Sequence, residues 1–226
     1  MLVILQKDLG TALIMLVIFG TMFLVSPILK IDKFRSIVFL IGLTLIALLI
    51  ANQQGDLLNQ ARLSRFSSFS DPCGNYENGG GYQVCNGYIA INNGGFQGLG
   101  IGKSKQKYSY IPEPHTDSAF AILAEENGVI RISFVFILYA WLIYRILDIS
   151  SKASTLRGRY ICLGVATYIF THIFINLGGI LGLIPLTGVP LPFFSYGGSF
   201  AISLIAALAM VQRVNIETKN KKIKVK

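Results

Sequence analysis

Apolar residues gather in five runs along the chain, at 9–29, 36–51, 129–147, 160–184 and 194–211, separated by polar or glycine- and proline-rich stretches. Most approach the roughly 20 residues that an α-helix needs to cross about 30 Å of hydrocarbon. The run at 36–51 is short and is expected to continue through Asn52 and Gln53 toward Gln60. The pattern predicts an all-α, polytopic membrane helical bundle of about five transmembrane helices. Composition argues against a soluble bundle. Of the 226 residues 53% are hydrophobic and only 14% are charged, where a soluble domain carries about 25%. Too few polar residues remain to give the helices solvent-facing sides.

A polar insertion, residues ~62–116, lies between the second and third runs and is punctuated by Gly, Pro, Ser and Asn (SDPCGNYENGGGYQ, NNGGFQGLGIG). So long a connection without a helical period usually carries function. Within it, residues 82–92 are expected to form a short helix, with GGFQGLGIG turning the chain back. The third long helix is expected to take His115 or Thr116 as its N-cap, with Asp117 at the positive end of the helix dipole. Asn127-Gly128 is expected to kink that helix before its spanning part. Later, the prolines and glycines of LGLIPLTGVPLPFFSYGGSF free backbone groups at membrane depth, which protein or a water-filled cavity must receive.

The net charge of +9 follows topology rather than nucleic-acid binding. Lys30, Lys33 and Arg35 form one basic cluster, Arg145, Lys152, Arg157 and Arg159 a second, and Arg213 with Lys219, Lys221, Lys222, Lys224 and Lys226 a third. With five crossings all three fall on one side, as the positive-inside rule requires. Residues 1–214 then make one transmembrane domain, with ~62–116 and 182–193 outside, and 215–226 a basic cytoplasmic tail able to touch anionic headgroups. No base-reading arrangement is present. Met1 also falls outside, beside Lys7, Asp8 and no signal-peptide pattern. The chain is therefore expected to be the C-terminal portion of a larger protein. Cys162 sits in a crossing, whereas Cys73 and Cys85 share the outer insertion, where an oxidising compartment can pair them; two free thiols are the alternative.

Asp117 leads the candidate chemistry. Taken by itself, a carboxylate at a helix start is more often a cap than a catalyst. Here Lys103, Lys105, Lys107 and His115 precede it, interleaved with Tyr108 and Tyr110. Cations suit the charge that develops on a diphosphate leaving group, aromatic faces suit sugar rings, and Asp is a competent general base. Headgroup attraction on an exposed loop is the plainer account of the lysines. Glu125 and Glu126 project about 80° and about 180° from Asp117 around the helix, so one is expected to face a cavity, or either to pair with Arg131. Asp8 and His172 are polar groups at or within crossings, where function and interhelical hydrogen bonding are both ordinary. Arg62 and Arg65 are either interfacial anchors or phosphate ligands. GGGYQ and GLGIG offer weak candidates for backbone anion nests. No P-loop, dinucleotide fingerprint, serine triad, metalloprotease motif or zinc-spaced Cys/His cluster occurs.

Several segments together resemble the SEDS family of polytopic membrane proteins (FtsW, RodA and SpoVE). QKDLGT is similar to that family's QPDLGT, and RFSSFSDPC to its R-x-x-S-F-x-(D/N)-P-W. GYQ with GIGKSKQKYSYIPEPHTD resembles its loop signature, and INLGGILGLIPLTGVPLPFFSYGGS its final one. The Ser104–Lys107 spacing is more like FtsW or SpoVE than RodA. Departures are Lys7 for Pro, Cys73 for Trp, Ser118-Ala119 for a bulky pair, Asn127 for Leu and His172 for Gln.

The resemblance implies a peptidoglycan glycosyltransferase that polymerises lipid II outside the bacterial cytoplasmic membrane, at the division septum. Its implied partners are a class B penicillin-binding protein and other divisome membrane proteins. The family's essential aspartate falls on Asp117, as the base toward the acceptor 4-hydroxyl. Asp8 and the Ser195–Ser199 run also fall on family motifs; with Arg65, Lys103, Lys107, His115 and Glu125, read from their own chemistry, Asp8, Ser195 and Ser199 make the candidate substrate-binding set. No cofactor is implied, although a divalent cation is compatible with the diphosphate. Family members have about ten crossings, so half of the expected groove would lie elsewhere. A lipid II flippase and a non-catalytic scaffold for a penicillin-binding protein are the rival readings.

Overall fold

The computed structural model describes residues 9–29, 31–38, 71–74, 80–109, 111 and 114–224. Its helices are α1 (Leu9–Val25), α2 (Gly80–Gly94), α3 (Gln106–Ser109), α4 (Ala119–Lys152), α5 (Leu156–Ile180) and α6 (Gly198–Lys224), and residues 31–38 are helical as well. Among the described residues α4, α5 and α6 are long and apolar enough to cross a membrane, and α1 is a shorter apolar helix. The crossing expected at 36–51 lies, beyond residue 38, outside the described residues. The helix α6 continues past residue 215 to Lys224.

The core forms where α4, α5 and α6 meet. Ile132, Tyr139 and Ile146 of α4 pack with Cys162, Val165 and Ile169 of α5 and with Leu204, Val211 and Val214 of α6. Large apolar side chains on the opposite side of α4, among them Ile130, Phe134, Ile137 and Trp141, stay exposed. A bilayer covers such a face at no cost, whereas water would not. The shorter α1 lies against α5 through a second cluster of Ile14, Ile175 and Val189. Its start is close to the 185–197 loop: a Cβ on Gly10 would stand 2.7 Å from Val189 Cγ2 and 3.1 Å from the Thr187 carbonyl. Gly10 therefore has to be small.

The insertion contains α2, which spans the helix expected at 82–92 and lies against α4. Cys85 of α2 is bonded to Cys73, tying the 71–74 turn to that helix. The kink expected at Asn127-Gly128 is present, with Gly128 at φ 71 and ψ 172 inside α4. It detaches four backbone groups from the helical ladder, and residues 95–100 receive them all. Leu99 N donates to the Glu125 carbonyl at 2.9 Å and Gly100 N to that of Glu126 at 3.0 Å; Val129 N donates to the Gly95 carbonyl at 2.9 Å and Ile130 N to that of Phe96 at 3.3 Å. The contact leaves no room for side chains, since a Cβ on Gly98 would stand 2.3 Å from the Glu126 carbonyl oxygen. The GLGIG amides of Leu99 and Gly100 are thus bound to a helix, which removes the anion nest expected there.

Residues 181–197 run between α5 and α6 without regular structure, yet their backbone groups find partners inside the protein. Tyr139 donates its hydroxyl to the Pro192 carbonyl. Asn176 Nδ2 donates to the Val189 carbonyl at 2.7 Å, and His172 Nδ1 lies 3.3 Å from that of Pro190. Leu183 N and Ile184 N both donate to the Gly178 carbonyl. His172 also packs between Tyr168 and Phe200, so its place is that of a helix-to-loop tie.

Candidate active site around Asp117

Asp117 sits just ahead of α4, and Ser118, not His115 or Thr116, is the N-cap residue. Ser118 makes no capping hydrogen bond; its hydroxyl accepts from Gln83 Nε2 of α2 at 2.7 Å. The same Gln83 amide donates to Asp117 Oδ2 at 3.2 Å, and the Thr116 hydroxyl donates to Oδ1 at 3.2 Å. A Cβ on Gly188 would lie 3.9 Å from Oδ2, so the 185–197 loop approaches the carboxylate through a residue with no side chain. Asp117 is half-buried. Its carboxylate is held by neutral donors, and among the described residues no Lys, Arg or His reaches it within ion-pair distance.

The backbone around Asp117 is fixed from beneath. Asn176 Nδ2 of α5 donates to the Asp117 carbonyl at 2.8 Å while also holding Val189. Ser195 accepts from Leu191 N at 2.7 Å and donates to the Thr116 carbonyl. Tyr196 N donates to the His115 carbonyl at 2.7 Å. Residues 115–117 are therefore docked on the loop before α6 and on α5. Ser195 uses its hydroxyl inside this dock, where it ties Thr116 to the loop before α6. Ser199 is exposed on the first turn of α6, and His115 is exposed beside Asp117.

Glu125 is a second group held inside the protein. It is 0% exposed and has no contact with Arg131; Ser104 donates its hydroxyl to Oε2, Gln106 N donates to Oε2 at 3.2 Å, and Asn93 Nδ2 to Oε1 at 3.3 Å. Glu125 lies about 12 Å along the helix from Asp117 and anchors the segment that carries the lysines. Glu126 is buried too, its Oε1 without a partner among the described residues. Lys103 and Lys105 are exposed; Lys107 is half-buried, its ammonium 5.9 Å from the Tyr108 ring centre. Asp8, Arg62 and Arg65 lie outside the described residues.

Gln83 and Asn176 were not singled out by sequence reasoning. Each is an amide on a helix with mostly small or apolar neighbours, and that is the signal that could have found them. Further along α4 from Asp117, a cavity of about 250 Å³ opens among Phe120, Leu123, Tyr139, Leu177 and Phe194, with Arg131 in its wall. Its lining is mostly apolar.

Comparison with known proteins gives one family. The family described as "cell cycle protein", FtsW/RodA/SpoVE, matches residues 1–220. A probable peptidoglycan glycosyltransferase FtsW of Bacillus subtilis strain 168 is 39% identical over 99% of this chain and 56% of its own length. The protein of the same name from Thioalkalivibrio sulfidiphilus is 35% identical over 96% of this chain and 53% of its own. Stage V sporulation protein E of Bacillus subtilis is 38% identical over 68% of this chain and 42% of its own. Among solved structures, a peptidoglycan synthase complex, described for the coordination of polymerization and crosslinking, contains a chain with a TM-score of 0.68 and 28% identity; the match covers 96% of this chain and 58% of that one. The chain thus spans about half the length of the curated relatives it matches.

Proposed function

This chain belongs to the FtsW/RodA/SpoVE family of membrane proteins, and from that we propose that it carries the acceptor-activating half of a glycosyltransferase that polymerises lipid II during cell division. The observation that bears most of the weight is the setting of Asp117: half-buried, gripped by neutral donors, paired with no cation among the described residues. A half-buried carboxylate with no cation beside it is placed to take the proton of a hydroxyl that reaches it.

In the proposed reaction Asp117 takes the proton of the acceptor sugar's 4-hydroxyl as that oxygen attacks C1 of the donor sugar. The C1–O bond to the lipid diphosphate breaks, and the diphosphate leaves with the electron pair. Lys103, Lys107 and His115 offset its charge. The cavity beside Arg131 has room for the first part of the lipid chain. Asn176 and Ser195 hold the backbone so that the carboxylate meets the hydroxyl at a fixed place.

Topology supports an outward Asp117. With the basic ends of α4 and α6 on the cytoplasmic side, the start of α4 and the loop before α6 stand on the outer side, in a bacterial cytoplasmic membrane and at the septum. The partner proposed is a class B penicillin-binding protein, since the similar solved structure is of a synthase complex that couples polymerization to crosslinking.

Reconstituted with lipid II and the cognate penicillin-binding protein, a protein carrying this chain should form glycan polymer, and Asp117→Ala should abolish it with folding intact. Undiminished polymer in that variant removes the base role. Transport of labelled lipid II across vesicles, surviving in a variant that makes no polymer, favours a flippase instead.

A further inference from the structure

We propose that the opposite, basic end of the bundle holds the phosphate of an anionic membrane lipid in a cavity between α4 and α6. The cavity measures about 220 Å³, and its lining includes Arg145, Asp148, Lys152, Asn215, Thr218 and Lys219. Arg145, Asp148 and Lys152 stand three, four and seven residues apart and so share one face of α4; Asn215, Thr218 and Lys219 share one face of α6 by the same spacing. The frame around them is fixed. Ser154 N donates to the Thr218 hydroxyl at 3.2 Å, and that hydroxyl donates to the Val214 carbonyl at 2.8 Å. Ser150 donates to the Arg159 carbonyl at 2.8 Å, which closes the turn between α4 and α5.

The charges are arranged for an anion. Lys152 Nζ lies 2.6 Å from an Asp148 oxygen, and this ion pair neutralises the carboxylate in the lining. Among the described residues, neither Arg145 nor Lys219 has a carboxylate within ion-pair distance. The Arg145 guanidinium can take two phosphate oxygens at once, and the Lys219 ammonium a third. Basic pockets between transmembrane helices bind lipid headgroups on this physical basis.

Depth in the membrane singles out a lipid as the source of the phosphate. Trp141, the only tryptophan of the chain, is exposed one helical turn before Arg145, and Tyr144 is exposed beside it. Such aromatic side chains settle at the headgroup level, which sets Arg145 there as well. From Trp141 toward the membrane centre, Leu138, Ile137 and Phe134 form an exposed apolar stripe along which acyl chains can lie. A soluble phosphate would meet the same donors but would leave that stripe unused. The proposal does not depend on the glycosyl-transfer reading, because it concerns the other end of the helices.

The test uses the purified chain in detergent, with Trp141 fluorescence as reporter, titrated with phosphatidylglycerol or phosphatidylcholine. Phosphatidylglycerol should bind and shift the Trp141 emission, and phosphatidylcholine should not. Replacing both Arg145→Gln and Lys219→Gln should weaken phosphatidylglycerol binding about 25-fold, at about fivefold for each cation. Both positions are exposed, so unfolding of the variant is not expected, and its melting temperature checks this. Equal binding by the double variant, or equal binding of the two lipids, overturns the proposal. So does a tail variant (Lys221→Gln, Lys222→Gln, Lys224→Gln) that loses as much binding as the cavity variant, since attraction would then be general. Displacement of the lipid by inorganic phosphate at equal concentration assigns the cavity to a soluble anion and overturns the lipid reading.

Discussion

The side-chain amide of Asn176 donates to the backbone carbonyl of Asp117 at 2.8 Å. Asn176 belongs to α5 and Asp117 to the turn just ahead of α4, two helices that pack directly on each other. The same amide holds Val189, so one side chain aligns three segments at the base of the candidate site.

Asn176→Leu should therefore damage the site without touching the carboxylate. It leaves two buried carbonyl groups without a donor, at about 1–3 kcal/mol each. We expect a lower melting temperature and at least about a tenfold loss of polymerisation, as a shifted catalytic group costs that much or more. Polymerisation at the parental rate would show that the backbone at Asp117 needs no such support.

Glu125 makes a different prediction because it is an anchor. Glu125→Gln keeps the shape and one of the two acceptor oxygens, which can still serve Ser104 and Gln106 N, and should cost about 1–2 kcal/mol, less than the alanine variant. Glu125→Ala strands Ser104, Gln106 N and Asn93 and opens a cavity, for a loss of about 3 kcal/mol or more. Trypsin offers a direct measurement: cleavage after Lys103, Lys105 and Lys107 should quicken in the alanine variant and stay slow in the glutamine one.

Gly98 and Gly102 form a matched pair. Their φ values are 78 and 77, but a Cβ on Gly98 would meet the Glu126 carbonyl oxygen at 2.3 Å whereas one on Gly102 would meet nothing within 4 Å. Gly102→Ala should cost only the left-handed backbone penalty of about 1–2 kcal/mol. Gly98→Ala must also displace the contact between residues 95–100 and α4, and thermal melts should show the larger loss there. Equal losses would mean that the close approach contributes nothing.

Thiol counting checks the Cys73–Cys85 bond. A denatured, unreduced sample should take up one maleimide, on Cys162, and a reduced sample three. Removing the bridge with Cys73→Ser should destabilise the insertion by about 2–4 kcal/mol.

Much of the fold was legible because apolar runs report membrane burial directly, and α4, α5 and α6 appear where those runs predicted them. Asn127-Gly128 announced a kink, since glycine tolerates a backbone state that ends a helix. What a sequence pattern does not carry is the identity of a distant partner. Glu125 is separated from Ser104 by 21 residues and from Asn93 by 32, and no helical period encodes either contact. Asp117 was legible as a candidate base from the residues near it in sequence, yet the groups that hold it, Gln83 and Asn176, come from α2 and α5. Among the described residues, Lys103, Lys105, Lys107 and His115 do not come within ion-pair distance of it.

The exchange of backbone partners at Gly128 has a consequence for how this chain can vary in length. Residues 95–100 and 125–130 are aligned atom for atom, so a single inserted or deleted residue in either would slide donors onto donors. Variation in size among relatives should accumulate outside these two stretches, which work as a fixed template for each other.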